Sequence, residues 1–371
     1  MSDSRRHIRD EVVGIPPYNS GLTLREVQER YHPAAIAKLG SNENPLGASE
    51  HAMVSSTELR DLFRLYPDPK GRALCEALAE RFGSKAPDII LGNGSEDLIA
   101  VVCRAVVRPG DVVTTLYPSF PLHEDYAVLM GGKVERIEIL PDFSVDMAAL
   151  EAAARRKPRM ILFANPMNPV GTWIGKGDFE LFLDAVDPDT LLVIDEAYAE
   201  YAYGEDYPAT LDILRASNKS WIVLRTFSKA YGLAGLRIGF GIASSPELLD
   251  FLNRVRTPFN TNAIAQAAAI AALGDEEHLK RTVTLALSER ARVSDALKLR
   301  DIKVAPSKGN FVFFDCGMDA SVFAEKLLIA GVIVKPWKQA GYTRFVRVSI
   351  GSVVENDQFL SALDTNARGR D

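Results

Sequence analysis

Short apolar runs alternate with stretches of helical pattern from about residue 88 to residue 245 of this chain. Most of these runs are apolar throughout, which is typical of strands buried on both faces of a sheet. Their alternation with helices predicts an α/β fold with a mostly parallel sheet covered by helices. The predicted strands span residues 89–91, 111–115, 134–140, 160–164, 191–194 and 221–224.

The pattern changes beyond residue 245. An alanine-rich helical region at 262–299 is followed by apolar runs at 310–314, 332–334 and 345–349, with a helical stretch at 321–330. These segments predict a smaller α+β domain at the C-terminal end. The first residues, with their prolines and glycines, predict an extended arm that joins this smaller domain. The predicted division is an arm at 1–44, a large domain at 45–255 and a small domain at 256–371.

Composition narrows the class of protein. The chain has 371 residues, 47% of them hydrophobic and 25% charged, which is typical of a soluble globular protein. Its net charge of -6 leaves no basic surplus for a nucleic-acid partner. The three cysteines stand far apart in apolar surroundings, and neither they nor the histidines have metal-ligand spacing. With a charged N-terminus and no apolar run of membrane length, we expect a cytoplasmic protein without a membrane partner.

The most informative segment is residues 228–239, which follow the last predicted strand of the large domain. A lysine at the mouth of a strand, here Lys229, loses solvation, so its pKa falls and its amine becomes a nucleophile toward an aldehyde. Ser228 and Arg237 offer a hydroxyl and a planar cation that can hold a phosphate. An aldehyde-binding lysine beside a phosphate grip is what pyridoxal phosphate requires.

Three further polar segments each follow a predicted strand. Asp195 can pair with the protonated ring nitrogen of pyridoxal phosphate, although, taken alone, an aspartate in this position is more often a cap of the next helix. Tyr198 and Asn168 can donate to the phenolic oxygen of the ring, while the Asn-Pro steps around Asn168 also fit a plain tight turn. The glycine-rich turn before Ser95 opens a helix whose backbone N–H groups can bind phosphate, or Ser95 is only an N-cap.

These segments occur in order along the chain, each beyond a strand of one predicted sheet. With them the chain resembles the fold-type I pyridoxal-phosphate aminotransferases over nearly its whole length. Within that family its motifs are most similar to the branch that acts on histidinol phosphate. The motifs that carry this narrower resemblance are residues 41–47, 66–68, 92–96, 117–120 and 228–239.

The resemblance implies a role for each matching residue. Lys229 binds the cofactor covalently and moves the proton of the substrate Cα. Asp195 pairs with the ring nitrogen, and Tyr198 and Asn168 hold the phenolic oxygen. The other implied cofactor contacts are the stacking ring of Phe120 and a phosphate grip formed by Ser228, Arg237, the backbone of Ser95 and Glu96, and Tyr66 from the second subunit of a homodimer.

The implied substrate contacts come from the arm and the small domain. Arg347 binds the acidic end of 2-oxoglutarate or glutamate and can also take the phosphate of histidinol phosphate. Tyr18 and Asn44 are further implied contacts. Lys335 stands where that branch commonly has arginine, so the charge is kept and the planar fork is lost.

The resemblance thus implies amino transfer between histidinol phosphate and 2-oxoglutarate, a step of histidine biosynthesis. The alternatives are an aromatic amino-acid aminotransferase and, in another class, a pyridoxal-phosphate-dependent decarboxylase of threonine phosphate. The three activities differ in the amine that is accepted and in whether glutamate is formed.

Overall fold

The computed structural model describes residues 4–19, 21–53, 56–204 and 206–367, so the ends of the predicted arm and small domain lie outside the described residues. The strands are β1 (Ala37–Lys38), β2 (Ile89–Gly92), β3 (Val112–Tyr117), β4 (Lys133–Glu138), β5 (Met160–Ala164), β6 (Leu191–Asp195), β7 (Ser220–Thr226), β8 (Gly239–Ala243), β9 (Phe311–Asp315), β10 (Val332–Ile333), β11 (Lys335–Pro336) and β12 (Phe345–Ser349). The α-helices are α1 (Asp10–Val13), α2 (Leu24–Tyr31), α3 (Ser56–Arg64), α4 (Arg72–Phe82), α5 (Ser95–Val106), α6 (Pro121–Leu129), α7 (Met147–Ala154), α8 (Lys176–Ala185), α9 (Thr210–Ala216), α10 (Pro246–Val255), α11 (Ala263–Leu273), α12 (Glu276–Lys298), α13 (Ala320–Ile329) and α14 (Val353–Ala367).

A seven-stranded sheet in the order β2-β8-β7-β6-β5-β3-β4 forms the centre of the molecule. Strands β3 to β7 pair in parallel, and β8 runs antiparallel to both of its neighbours. The side chains of β6 alternate between two apolar clusters, Leu192 and Ile194 in one and Leu191 and Val193 in the other. Burial on both faces explains the continuously apolar runs. The predicted α/β fold is confirmed, and the six predicted strands are β2 to β7.

Strand β8 has no counterpart among the predicted strands. Glycines at 239 and 241 interrupt its apolar pattern, and glycine weakens a strand prediction. The structure supplies the reason for Gly239: a Cβ there would lie 2.4 Å from the backbone nitrogen of Ser95. A glycine is therefore required for β8 to approach the start of α5.

The C-terminal part contains a three-stranded antiparallel sheet, β11-β12-β9, and the strand β10, which pairs in parallel with β1 near the N-terminus. The N-terminal segment, predicted to be extended, also contains α2, which begins at a capping box formed by Thr23 and Glu26. The predicted division at residue 256 stays a prediction; α11 packs against α4 beside the large sheet, which favours a later boundary. No helix in the described ranges is long and apolar enough to cross a bilayer.

Candidate active site

The carboxyl ends of β5, β6 and β7 lie side by side, because Ala164 pairs with Asp195 and Asp195 with Leu224. In an open α/β sheet this edge is where ligands bind. The segments that follow these strands carry the polar residues singled out in the sequence. The register therefore brings Asn168, Asp195 and the Ser228–Lys229 pair to one edge of the molecule.

Lys229 is partly buried, and its Nζ donates a hydrogen bond to the carbonyl oxygen of Ser41, 2.8 Å away. The same Nζ lies 5.9 Å from the ring centre of Tyr198. Burial, assisted by the positive charge of Arg347, lowers the pKa of Lys229 to about 7. A large fraction of the amine is therefore neutral at physiological pH, as a nucleophile toward an aldehyde must be.

Asp195 is buried at the end of β6, with its Oδ2 3.1 Å from Nε2 of His123. Its Oδ1 accepts a hydrogen bond from the backbone nitrogen of Ala197 at 3.1 Å. His123 is 1% exposed, and its Nδ1 has no hydrogen-bond partner within the described ranges. His123 was not predicted as a site residue; its position one helical turn after Phe120, with which it makes an edge-to-face contact, is the sequence feature that indicates it.

Tyr198 is buried at the same edge, and burial raises the pKa of its hydroxyl, which therefore stays protonated. Its oxygen accepts a hydrogen bond of 2.9 Å from Nδ2 of Asn42. The hydroxyl of Ser349 in turn donates to Oδ1 of Asn42. Asn42 is a second site residue that the sequence analysis missed, and it links the arm, the large sheet and the small sheet at one point.

Arg347 is buried on β12, and its guanidinium reaches the same cluster. Its Nη1 donates to Oδ1 of Asn168 at 2.7 Å and its Nη2 to the carbonyl oxygen of Gly40 at 2.7 Å, while its Nε has no hydrogen-bond partner among the described residues. Burial lowers the pKa of Arg347. A buried cation with an unpaired donor and no carboxylate among these partners indicates a place for an anion.

The start of α5 lies against Arg237. The N-cap of α5 is Gly94, at φ +83° and without a side chain to cap the first N–H groups. The φ of +83° favours glycine at position 94, and a Cβ there would lie 2.5 Å from Nη2 of Arg237 and displace the guanidinium. Nη2 of Arg237 lies 3.9 Å from Oε2 of Glu96. Ser228 is buried and, like Arg237, belongs to the connection between β7 and β8. Uncapped N–H groups beside a guanidinium are suited to a phosphate.

The N-terminal arm reaches this region through Tyr18. The Tyr18 ring makes an edge-to-face contact with Phe120, their centres 6.4 Å apart, and Nζ of Lys335 lies 5.9 Å from the Tyr18 ring centre. Lys335 also donates a hydrogen bond to the carbonyl oxygen of Asn19. Burial and the charge of Arg347 lower the pKa of Lys335 to about 8. The structure thus brings Tyr18, Phe120 and Lys335 together.

Two residues singled out in the sequence have other surroundings. Nδ2 of Asn44 donates to the carbonyl oxygen of Ala230 at 3.1 Å and to Oγ1 of Thr282 at 3.0 Å. Asn44 therefore supports the segment next to Lys229, and a substrate contact by Asn44 stays a prediction. Tyr66 is 81% exposed and stacks on Phe259 with ring centres 4.6 Å apart. Its predicted contact with the phosphate of a second subunit also stays a prediction.

The residues at this edge fit pyridoxal phosphate. An amine with a lowered pKa, a buried carboxylate, a protonated tyrosine and an uncapped helix start beside Arg237 match the aldehyde, ring nitrogen, phenolic oxygen and phosphate. In the described part of the chain, Nδ1 of His123 and Nε of Arg347 are buried without a hydrogen-bond partner and belong to residues of the same cluster, which leaves polar atoms there for a bound group.

Comparison with known proteins gives the class. The family model described as "Aminotransferase class I and II" matches residues 34–363, and the chain belongs to that family of pyridoxal-phosphate-dependent enzymes. The chain is 59% identical over 363 residues to "Histidinol-phosphate aminotransferase 3" of Rhizobium meliloti, covering 98% of each protein. It is also 59% identical to "Histidinol-phosphate aminotransferase 1" of Mesorhizobium japonicum, covering 98% of this chain and 99% of that protein. A crystal structure of histidinol-phosphate aminotransferase from Sinorhizobium meliloti in complex with pyridoxal-5'-phosphate matches with a TM-score of 0.88 at 29% identity over 98% of each chain.

Proposed function

We propose that this chain transfers an amino group between histidinol phosphate and 2-oxoglutarate, with Lys229 as the catalytic lysine. The observation that carries the substrate class is the pairing of two cations. Lys335 and Arg347 are directly opposite each other in the antiparallel pair β11–β12. Like charges at such positions repel each other, so an anion bound between them stabilises the pair. A substrate phosphate or a carboxylate supplies that anion, and the relatives' names favour histidinol phosphate.

The proposed residue roles follow from the geometry of the edge. Bound pyridoxal phosphate supplies an aldehyde and a cationic ring that accepts electrons from the substrate Cα. The amine of Lys229, with a pKa of about 7, accepts the Cα proton and returns it. Asp195, fixed by His123, keeps a proton on the ring nitrogen, and Tyr198 donates to the phenolic oxygen.

Substrate position is set from the other side of the cleft. Arg347 and Lys335 bind the anionic group, and Tyr18 with Phe120 provides an aromatic wall beside it. The amide of Asn168, whose Oδ1 is occupied by Arg347, leaves its Nδ2 for the phenolic oxygen of the cofactor. Arg237, Ser228 and the first N–H groups of α5 hold the cofactor phosphate.

The test of this function is a comparison of amino donors. Protein loaded with pyridoxal phosphate is given 2-oxoglutarate and either histidinol phosphate or phenylalanine, and glutamate is measured. We expect kcat/KM for histidinol phosphate to exceed that for phenylalanine by at least about 100-fold, because the cations Lys335 and Arg347 bind a phosphate through charge-assisted hydrogen bonds that the side chain of phenylalanine cannot form. A preference for phenylalanine contradicts the proposed substrate, and carbon dioxide release without glutamate contradicts amino transfer.

Replacement of Lys335 tests the anion site separately. We expect Lys335→Met to raise KM for histidinol phosphate by roughly 10- to 100-fold, the effect of losing a hydrogen bond to a charged group, with kcat little changed. Lys280→Met, at an exposed lysine on α12, serves as the control and should leave KM unchanged. Equal KM values in the wild type and Lys335→Met contradict a role for Lys335 in substrate binding.

We further propose that the active unit is a homodimer. Among the residues from 53 to 66 whose side chains the structure describes, four large apolar ones are largely exposed: Met53 at 76%, Phe63 at 71%, Leu65 at 60% and Tyr66 at 81%. Such a concentration of exposed apolar side chains marks a protein interface. A partner subunit that covers these exposed residues removes Tyr66 from solvent. Tyr66 can then contact the cofactor phosphate in the active site of the partner subunit. A cytoplasmic location stays a prediction, favoured by three unpaired, buried cysteines.

Phe63→Glu places a charge in this proposed interface. We expect the variant to sediment as a monomer and to lose turnover, because a buried carboxylate without a partner opposes association. The matched control is Leu181→Glu, at an apolar residue on α8 that is 62% exposed and far from Phe63 in sequence. A dimer that persists in Phe63→Glu rules out this surface as the interface.

A further inference from the structure

A row of buried polar side chains lies on the opposite face of the large sheet from Asp195. Because Ala164, Asp195 and Leu224 are paired across β5, β6 and β7, the next residues, Asn165, Glu196 and Arg225, are also neighbours. They are 1%, 0% and 4% exposed. Successive side chains of a strand point to opposite faces, so this row lies behind the cofactor edge.

A tyrosine from outside the sheet joins the row. The hydroxyl of Tyr207 lies 2.5 Å from the carbonyl oxygen of Asn165 and 3.1 Å from Oε1 of Glu196. Nη2 of Arg225 donates to Oε2 of Glu196, and its Nη1 donates to the hydroxyl of Tyr203. We call Asn165, Glu196, Arg225 and Tyr207 the bridging row.

Three members of the row, those next to β5, β6 and β7, each stand near the start of a segment that carries a cofactor residue. Asn165 begins the turn that contains Asn168, and its side chain closes that turn by two hydrogen bonds to the backbone of Ile174. Glu196 follows Asp195 directly. Arg225 lies three residues before Ser228 on the strand that leads to Lys229. The bridging row thus connects the three segments at their point of departure from the sheet.

We propose that the bridging row positions these segments, and that Tyr207 is a positioning residue for the cofactor site. A buried ion pair can often be replaced by apolar residues without loss of stability. Apolar residues do not reproduce hydrogen bonds of fixed direction to the Asn165 carbonyl and the Glu196 carboxylate. The row therefore sets the distances between the side chains of Asn168, Asp195 and Ser228. This inference rests on the proposed cofactor site.

The test compares Tyr207→Phe with Thr190→Val. Tyr207→Phe removes one hydroxyl and leaves the Glu196–Arg225 pair in place. The hydroxyl of Thr190, which is 1% exposed, donates to the carbonyl oxygen of Pro158 at 2.7 Å, just before β6 and β5 begin. Both variants delete a buried hydroxyl that bonds to a backbone carbonyl next to β5, that of Asn165 just after the strand at the cofactor edge and that of Pro158 just before the strand at the opposite edge.

Three quantities are measured for each variant: Tm of the apoprotein, Kd for pyridoxal phosphate, and the pH midpoint of the visible band of the bound cofactor. We expect similar falls in Tm for both. Only Tyr207→Phe should raise Kd, by about tenfold or more, and move the pH midpoint, because displaced segments misplace the groups that bind the cofactor. Thr190→Val should keep Kd and the midpoint of the wild type.

A wild-type Kd and pH midpoint in Tyr207→Phe overturn the proposal, as do equal changes in the two variants. If Tyr207→Phe does not fold, Tyr203→Phe takes its place; Tyr203 is 59% exposed and binds the other end of Arg225. For Tyr203→Phe, a rise in Kd for pyridoxal phosphate without a fall in Tm supports the proposal, and an unchanged Kd overturns it. Wild-type protein that binds no pyridoxal phosphate refutes the cofactor site itself, which keeps the two failures distinct.

Discussion

Lys229→Met is expected to lower kcat by at least about 10⁴-fold, because the variant loses both the amine that captures the cofactor and the base that moves the Cα proton. Steady-state glutamate formation measures this loss, and the visible band of the loaded protein should disappear with it. The matched control is Lys219→Met, since Nζ of Lys219 also donates to a backbone carbonyl, that of Val186. Turnover in Lys229→Met within about tenfold of the wild type contradicts the role assigned to Lys229.

The same variant has an expected signature in the apoprotein. The pKa of Lys229 is about 7 in the folded chain and about 10.4 in an unfolded one. Between these values the unfolded chain binds the extra proton, so the wild-type apoprotein gains stability as pH rises through this window. Lys229→Met lacks this dependence. The free energy of unfolding of the variant should therefore exceed that of the wild type by the largest amount at pH 7 and below, and this difference should shrink toward pH 10. Urea unfolding of both proteins at each pH measures the difference.

Asp195→Asn is expected to lower kcat by about 10²- to 10³-fold while Tm changes little. The neutral amide keeps the size of the side chain but cannot hold a proton on the ring nitrogen, so the charge that develops at Cα is poorly stabilised. Asp315→Asn, at an aspartate that ends strand β9, is the control and should retain full turnover. Unchanged turnover in Asp195→Asn contradicts the proposed pairing and leaves Asp195 as a structural partner of His123.

Most strands of the large sheet were predictable because they are buried on both faces and are therefore mainly apolar; the edge strand β4 carries exposed charged residues instead. Local pattern also located Lys229, Asp195 and Asn168, since each follows such a strand. Strand β8 was not predictable, because its glycines at 239 and 241 weaken the strand pattern. The first of them is needed for β8 to lie close to Ser95.

Residues that contact the site from a distance along the chain were missed for a different reason. His123 lies 72 positions from Asp195, and Asn42 lies 156 positions from Tyr198. Asn42 lies within the motif at 41–47 and His123 lies three residues after Phe120, but a local pattern does not indicate the distant partner of either residue, so only the folded chain shows the contact. The same applies to Tyr207, whose hydroxyl meets Asn165 across 42 positions.

The position of Lys335 opposite Arg347 depends on the register of two paired strands, which the sequence does not show. Lys335 was expected near the substrate because it replaces an arginine in the resembling family. The antiparallel register of β11 and β12 places Lys335 opposite Arg347, and the charge of Arg347 helps to lower the pKa of Lys335 to about 8. The resulting site is suited to one shared anion, which a lone surface lysine could not bind as tightly.

The central claim is that Lys229 is the amine that binds pyridoxal phosphate in an aminotransferase. The most direct measurement is to load the protein with pyridoxal phosphate, reduce it with borohydride, digest it and locate the added mass. The account predicts one pyridoxal phosphate for each chain, attached to the peptide that contains Lys229, and none after prior incubation with histidinol phosphate alone, which converts the cofactor to its amine form. Attachment at another lysine, or no attachment, would contradict it.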